Sequence, residues 1–385
     1  MPLDLPRLSI DADYWSLRFV DQTATVCAVR KNVPLPLSRS SDRGVMATVY
    51  TDGGYGYAAT SDLSLRGLAA ALERAGQWAR ATASRALFDT RPLPRPAPRD
   101  DYASPSVDDA EPAPRDWYEL LMAESTAAAI DPRIVDWTAS VEVRRATHRF
   151  VTSEDGDVVQ RYRITLPGLA VSAHADGDTQ TRTLYGYRGI CQQGGPEVLA
   201  RFGFAGAGRR VAEEALELVL APNCPSGRMD VLLAPDQMVL QIHESIGHPL
   251  ELDRILGDER NFAGTSFVTP DMFGHYRYGS ELLNVTFDPT RPEELASYGY
   301  DDEGTPAGRA HLIRRGILER PLGGAVSQAR SGLPGVANAR ADNWNRPPID
   351  RMANLSPEPG ESTFDELVAR IGRGVYMQTN ASWSI

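Results

Sequence analysis

Seven prolines fall between Arg91 and Pro114, at positions 92, 94, 96, 98, 105, 112 and 114, with Asp100, Asp101, Asp108 and Asp109 among them. Proline fixes φ and removes a backbone donor, so neither a helix interior nor a central strand accepts this run. The segment 91–114 reads as a semi-rigid linker that sets residues 1–90 apart from everything after it. At roughly 150 residues per domain, a chain of 385 residues holds two or three units, each able to bury a core.

Patterning differs on the two sides of this cut. From Tyr14 to Tyr57, short runs alternate apolar and polar (Trp15, Leu17, Phe19; Thr25–Val29; Val45–Tyr50) and predict three or four strands. Leu65, Leu68, Leu72, Ala75 and Ala79 then fall three or four apart, which predicts a helix from Asp62 to about Ala83 laid on that sheet. Beyond the linker, Asp116 and Glu119 form a possible capping box for a helix through Ala129, with Trp117, Leu120 and Leu121 facing the core. Ile134–Tyr187 returns to strand character, with Asp-Gly pairs at 155–156 and 176–177 suited to tight hairpins. One helical stretch over about Pro196–Leu220 follows, and the loop Pro222–Gly227 ends this central unit, 115–227.

The third unit, 228–385, opens with a short buried strand at Met229–Pro235 and a helix carrying Met238, Val239, Ile242 and Ile246. A strand at Leu282–Phe287, a hairpin at His311–Leu318 turning near Arg315–Gly316, and a helix capped by Ser362 over Phe364–Ile371 come later. Val375–Met377 and Ser382–Ile385 read as strand material. The fold class expected is α+β: a sheet-plus-helix unit, an antiparallel meander with helices, and a mixed β-rich domain carrying a metal-binding helix.

Composition excludes several functions. Hydrophobic residues make up 42 % and charged residues 24 %, too apolar for long disorder. A net charge of −11 and no helix dense in basic residues argue against nucleic acid as a partner. The three cysteines, Cys27, Cys191 and Cys224, are too few and scattered for a disulfide framework, so a cytoplasmic location is expected. The N-terminus lacks the basic and apolar regions of a signal peptide, and nowhere do eighteen apolar residues run together, so no membrane span is expected.

One segment concentrates chemistry. Gln241–Leu250, QIHESIGHPL, sets two of only six histidines beside a glutamate. Neutral imidazoles bind a borderline divalent ion such as zinc, and an adjacent carboxylate can take a proton from a water that the metal polarises. His243 and His248 are thus the candidate ligands and Glu244 the candidate general base. The spacing is five, and at about 100° per residue such a pair lies about 140° apart on a regular helix. Gly247, which tolerates unusual backbone angles, and Pro249, which removes a helical donor and disfavours α geometry at His248, predict a widened turn or a helix end that swings His248 back toward His243. The competing reading is two helix-end histidines satisfied by backbone carbonyls.

His243–Asp253, HESIGHPLELD, resembles the metal-binding helix of the TldD/PmbA family of metallopeptidases, also called modulators of DNA gyrase. Ser297–Gly304, Asn338–Ala341, Arg351–Asn354 and Pro359–Gly360 resemble later blocks of that family in the same order, and the N-terminal strands and helix also fit. The resemblance implies a zinc-dependent endopeptidase, one ion per site, that acts on unfolded or leader peptides. It implies an enclosed chamber made with a second copy or with a PmbA-like paralogue lacking the metal motif. With His243, Glu244 and His248 all present, the chain resembles the TldD type. The family's third ligand is a cysteine in a segment that should follow Ile385, so the resemblance implies either a truncated chain or another group completing the site. Glu251 and Asp253 are candidates to orient the imidazoles and, with His275, lesser candidates as ligands. Arg340 and Arg351 are candidates to bind a peptide carboxylate or carbonyl. Two rivals remain: a catalytically silent scaffold unable to hold zinc, and a metal hydrolase of small amides.

Overall fold

A computed structural model of the chain describes residues 8–186 and 189–380, and the strand expected over Ser382–Ile385 lies outside them. Strand β1 (Tyr14–Arg30) is a single long strand where two short runs are expected, because long neighbours on both sides pair with it across the polar stretch Asp21–Ala24. The short β2 (Val33–Pro34) turns back on its end through Lys31 and Asn32, both left-handed. β3 (Ser38–Thr51) and β4 (Gly54–Thr60) complete a meander. Helix α1 (Leu65–Thr82) starts where Ser64 Oγ accepts the Gly67 N–H. It buries Leu68, Leu72, Ala75 and Ala79 against Leu17, Phe19, Val45 and Val49.

The proline-rich segment is not a spacer. Within it, β5 (Arg99–Ala103) carries no proline and pairs in parallel with a later strand. Prolines 98 and 105 merely flank it, where no ladder donor is needed. Leu93, Ser104 and Val107 are buried. α2 (Pro114–Ala128) follows, with Ala113 as its cap; Asp116 occupies the third position and accepts the Ala113 N–H, so it is the reaching-back partner and not the cap.

β6 (Ile134–Thr152), β7 (Asp157–Ala175) and β8 (Asp178–Thr183) form the expected meander, its turns set by left-handed Asp155 and Asp176. The short β9 (Gln192–Gln193) leads into α3 (Glu197–Arg201) and α4 (Ala207–Leu220). The single helix expected over 196–220 is broken between them, where Gly203 and Gly206 take φ of 62° and 82°. α2 and α4 pack over β6 and β7 around Trp117, Leu121, Phe204 and Val211. β1 pairs with β6 from Ser16↔Thr152 to Arg30↔Thr138, giving the order β4-β3-β1-β6-β7-β5. The separation into residues 1–90 and 115–227 is therefore corrected: one sheet runs through both, and the segment between contributes its edge.

The third unit runs β10 (Asp230–Leu233), α5 (Pro235–Ile242), a π-turn (His243–Gly247), α6 (His248–Leu250), α7 (Leu252–Leu256) and α8 (Arg260–Ala263). It continues through β11 (Val285–Phe287), β12 (Ala310–Arg314), β13 (Ile317–Leu318), α9 (Ala325–Ser331), β14 (Ala339–Arg340), β15 (Ile349–Asp350) and β16 (Leu355–Pro357). It closes with α10 (Phe364–Arg370), capped by Thr363 and not Ser362, and β17 (Gly374–Met377). β10 is not buried as expected: it makes only a parallel ribbon with β17, and Val231 is 50 % exposed. The core of this unit gathers Ile242, Ile246, Leu250, Phe287, Leu312 and Leu322.

This unit docks on the face of the large sheet opposite α1. Buried Arg18 donates to the carbonyls of Asn343 (3.1 Å) and Arg346 (2.8 Å). The Trp344 ring lies on Gly44, where a Cβ would come within 2.2 Å of it, and its Nε1 donates to Asp42 at 2.9 Å. Both faces of β1 are thus covered at this end, which is why Tyr14–Val20 is buried without alternation. Among the described residues no helix is long and apolar enough to cross a membrane.

Candidate metal centre

α5 carries His243 to its last turn, and the ladder then widens: the His248 N–H reaches the His243 carbonyl, five residues back. That register returns His248 to the same side as His243, with ring centroids 4.5 Å apart and planes at 84°. A ligand atom from each of His243, Glu244 and His248 lies within 4.8 Å of the others, which no regular helix with this spacing allows.

The widened turn matches expectation, but the expected reason does not. Gly247 has ordinary helical angles, φ −58° and ψ −69°. Its lack of a side chain is steric: a Cβ there would sit 1.8 Å from Met352 Sδ and 2.8 Å from its Cγ. Pro249 plays its expected part by withholding a donor at the first turn of α6. Tyr278, which no local spacing ties to the motif, donates its hydroxyl to the Ser245 carbonyl.

Glu251 holds His248. Its carboxylate is wholly buried and receives His248 Nδ1 at 2.9 Å, while Arg254 donates to the same oxygen at 3.1–3.2 Å. Arg254 Nη2 also stands 3.2 Å from Nδ1, but two donors cannot bond each other, and the shorter contact to an acceptor-only carboxylate sets the proton on Nδ1. The lone pair left for a metal is therefore on Nε2. Arg351 Nη1 approaches both Glu251 oxygens at 3.4 Å.

Asp253 does something other than orient an imidazole. It and Asp350 exchange backbone-to-carboxylate hydrogen bonds at 2.9 and 3.0 Å, locking α7 to β15. Burial, with the neighbouring Asp350 charge, pushes Asp253 up to about 8. The same burial lifts Asp350 to about 6. Arg340 donates to the Met352 carbonyl at 2.7 Å and its guanidinium lies 5.9 Å from the Tyr298 ring centre. Arg340 therefore steadies the chain that fills Gly247's empty side, and Arg351 braces Glu251; the residues lining the cleft at His243 do not include either. Nothing in the sequence spacing pointed to Met352, Tyr278 or Asp350, whose contacts are all long-range. Arg254, adjacent to the recognised HESIGHPLELD block, was within reach of it.

That cleft, about 890 Å³, is bounded by Met238, Val239 and Ile242 of α5, by His243, and by Leu355, Ser356 and Pro357 of β16, which ends its sheet. Among the described residues no cysteine or further histidine joins the three clustered donors: Cys27 is in the core, Cys224 is exposed on its loop, and His275 is an exposed loop residue. Two imidazoles, one with its tautomer fixed, and one carboxylate suit a divalent ion of zinc's character.

Comparison with known proteins gives the same picture. The PmbA/TldA metallopeptidase C-terminal domain matches residues 226–384, and domain 1 of the same metallopeptidases matches residues 15–79. A metalloprotease of Methanothermobacter thermautotrophicus is 32 % identical over 262 residues, 68 % of this chain and 54 % of that protein. A zinc metalloprotease TldD homolog of Saccharolobus solfataricus is 31 % identical over 40 % of this chain and 32 % of its own length. The chain spans about half or less of the curated relatives it matches. Two solved structures share the fold: a candidate modulator of a DNA gyrase from Thermotoga maritima (TM-score 0.73, 18 % identity, 95 % of this chain and 78 % of that one) and TldE from Thermococcus kodakarensis (0.72, 16 %, 97 % and 80 %). With both terminal domains matched and the fold shared over nearly its whole described length, the chain belongs to the PmbA/TldD metallopeptidase family.

Proposed function

We propose that this chain carries the metal-binding part of a zinc-dependent endopeptidase that acts on unfolded or leader peptides. The observation that carries the reading is the π-turn that gathers His243, Glu244 and His248 beside an open cleft. His243 and His248 would hold the ion, His248 through Nε2. Zinc, when bound, supplies Lewis-acid activation of water and of the scissile carbonyl. Glu244 accepts the proton of the attacking water and returns it to the leaving amine as the C–N bond breaks. Glu251 keeps His248 in its ligating tautomer, and Arg254 and Arg351 hold the Glu251 carboxylate in place by donating to it. The open edge of β16 suits a substrate in extended form, paired by backbone hydrogen bonds, which selects unfolded segments over folded ones. The partner in this reading is a second copy or a PmbA-like paralogue, and the setting is cytoplasmic.

A second reading, a scaffold that binds a peptide or partner without holding zinc, is favoured by one observation: no third nitrogen or sulfur donor joins the cluster among the described residues. Elemental analysis separates the two. About one zinc per chain, lost in His243→Ala, supports the first; no zinc in the wild-type chain under zinc-replete purification supports the second. Glu244→Gln should keep the zinc and lose peptide cleavage by about 10²–10⁴-fold, read with an unstructured peptide substrate.

A further inference from the structure

The widened turn that gathers His243 and His248 loses a donor where it hands over to α6. In an α-helical register the N–H of residue 249 bonds the Ser245 carbonyl, and in the widened register it bonds the Glu244 carbonyl; Pro249 has no N–H to give to either. A turn so depleted gains most from donors outside it. Two reach it, both from the stretch between α8 and β11. The Tyr278 hydroxyl donates to the Ser245 carbonyl, and Ser266 Oγ donates to the Pro249 carbonyl at 2.7 Å.

Each donor is itself anchored. The Tyr278 N–H donates to the Gly316 carbonyl at 2.8 Å and the Leu318 N–H to the Tyr276 carbonyl at 3.0 Å, which pins residues 276–278 to the β12–β13 hairpin. The Tyr278 ring lies 5.8 Å from that of Phe267 and 6.2 Å from that of Tyr276, and it packs on the core that includes Ile242 and Ile246. Ser266 Oγ accepts the N–H of buried Val268 at 2.9 Å, which leaves its own proton for Pro249. Burial, with Tyr276 beside it, holds the Tyr278 hydroxyl above its ordinary range, so it keeps the proton it donates. Water can serve the carbonyl of an exposed residue such as Ser245, but water ties it to nothing; the hydroxyl ties it to the hairpin.

We infer that Tyr278 and Ser266 are positioning residues for the metal centre, a strap that holds the backbone on both sides of His248 and so keeps it on the side of His243. The inference rests on the proposed ligation of zinc by these two histidines. Glu251 fixes the His248 ring, whereas the strap fixes the chain that carries it, so the two act on different degrees of freedom. Met352, set against Gly247, fills a further side of the turn. Neither strap residue lines the cleft at His243, so neither is placed to bind a substrate held there.

Hydrogen exchange read by mass spectrometry on the metal-free 385-residue chain, with zinc affinity by chelator competition on the same preparations, tests this. Tyr278→Phe keeps the ring and removes only the hydroxyl; Ser266→Ala removes the other donor. Each should speed exchange by about threefold or more in peptides covering 241–252, leave β1 and β6 at wild-type rates, and weaken zinc binding by about threefold or more. With cobalt in place of zinc, the visible absorption of Tyr278→Phe should differ in position or intensity from that of wild type, a change that a general loss of stability does not produce. Unchanged exchange over 241–252 in both variants, exchange raised equally throughout the chain, or zinc affinity and cobalt spectra like wild type in both variants would overturn it. A wild-type chain that takes up neither metal would overturn the zinc reading alone, and the exchange result would still decide whether the strap holds the turn.

Discussion

Glu251 sits between three cationic or proton-bearing groups, His248, Arg254 and Arg351, with its carboxylate wholly buried. Replacing it with Ala leaves two guanidinium groups facing each other and frees the His248 ring to turn. Such outer-shell losses lower metal affinity by about 10–100-fold, and competition with a chromophoric zinc chelator should show a drop of that size in Glu251→Ala. Gly247 offers a second single-residue test. In Gly247→Ala the new methyl meets Met352, and overpacking of this kind destabilises by about 1–3 kcal/mol in urea unfolding. Adding Met352→Ala should recover part of that loss, which would separate steric exclusion from any demand on backbone angles. Asp253 and Asp350 set a pH dependence at this scale. Their folded-state values lie above the ordinary carboxylate range, so the folded state holds protons that the unfolded state releases. The resulting stability is present at low pH and is lost as pH rises toward about 8; thermal unfolding between pH 5 and 8 should show a falling midpoint, with a shallower slope in Asp253→Asn.

At the scale of elements, the widened turn was legible because its two causes, an i,i+5 histidine pair and a proline, are local in sequence. The helix α1 and the Asp-Gly hairpins were legible for the same reason. What the pattern could not give was the fate of 91–114, since proline content reports only what a segment cannot be and says nothing of what lies beside it. Its order comes from a distant residue. Arg163 on β7, wholly buried, donates to the Ser106 carbonyl at 2.9 Å and to Glu111 at 2.8 Å, and its own N–H meets Ser104 Oγ at 2.7 Å. Arg163→Ala removes charged hydrogen bonds of a kind worth about 2–3 kcal/mol together and should open the segment to proteolysis near residues 104–111 before the rest of the chain. Edge strand β5 would be the first element to lose protection in hydrogen exchange.

For the whole molecule, local patterning misleads about where the chain divides. Among the described residues there are three apolar clusters, and the first two lie on one continuous sheet, because β1 binds β6 along 15 pairs of residues that no short-range signal joins. A fragment of residues 1–90 therefore lacks the neighbour of its central strand and should show no cooperative unfolding transition, whereas residues 1–227 should show one, by circular dichroism during heating. The family resemblance rests on short blocks, and those blocks are where the third unit folds around the helix that carries His243 and His248: Asn338–Ala341 and Arg351–Asn354 brace it from β14 and from beyond β15. Arg340 and Arg351 were picked out by residue type and looked like anchors for a substrate. Their partners, a carbonyl and a buried carboxylate, are visible only once the chain is folded.

The π-turn also acts as a phase setting between the two halves of the helix that carries the histidine pair. Striking Ser245 from the gene, one codon, would leave His-Glu-Ile-Gly-His, whose histidines meet on a regular helix at the four-residue spacing. The histidine pair would tolerate that edit. Leu250 and Leu252, both fully buried, would keep their seats as well, because five residues of a widened turn and four of an α turn each bring the chain back to nearly the same side. The residue lost is the one whose carbonyl accepts the Tyr278 hydroxyl, so the cost of moving between the two spacings falls on that contact and leaves the packing that follows in register.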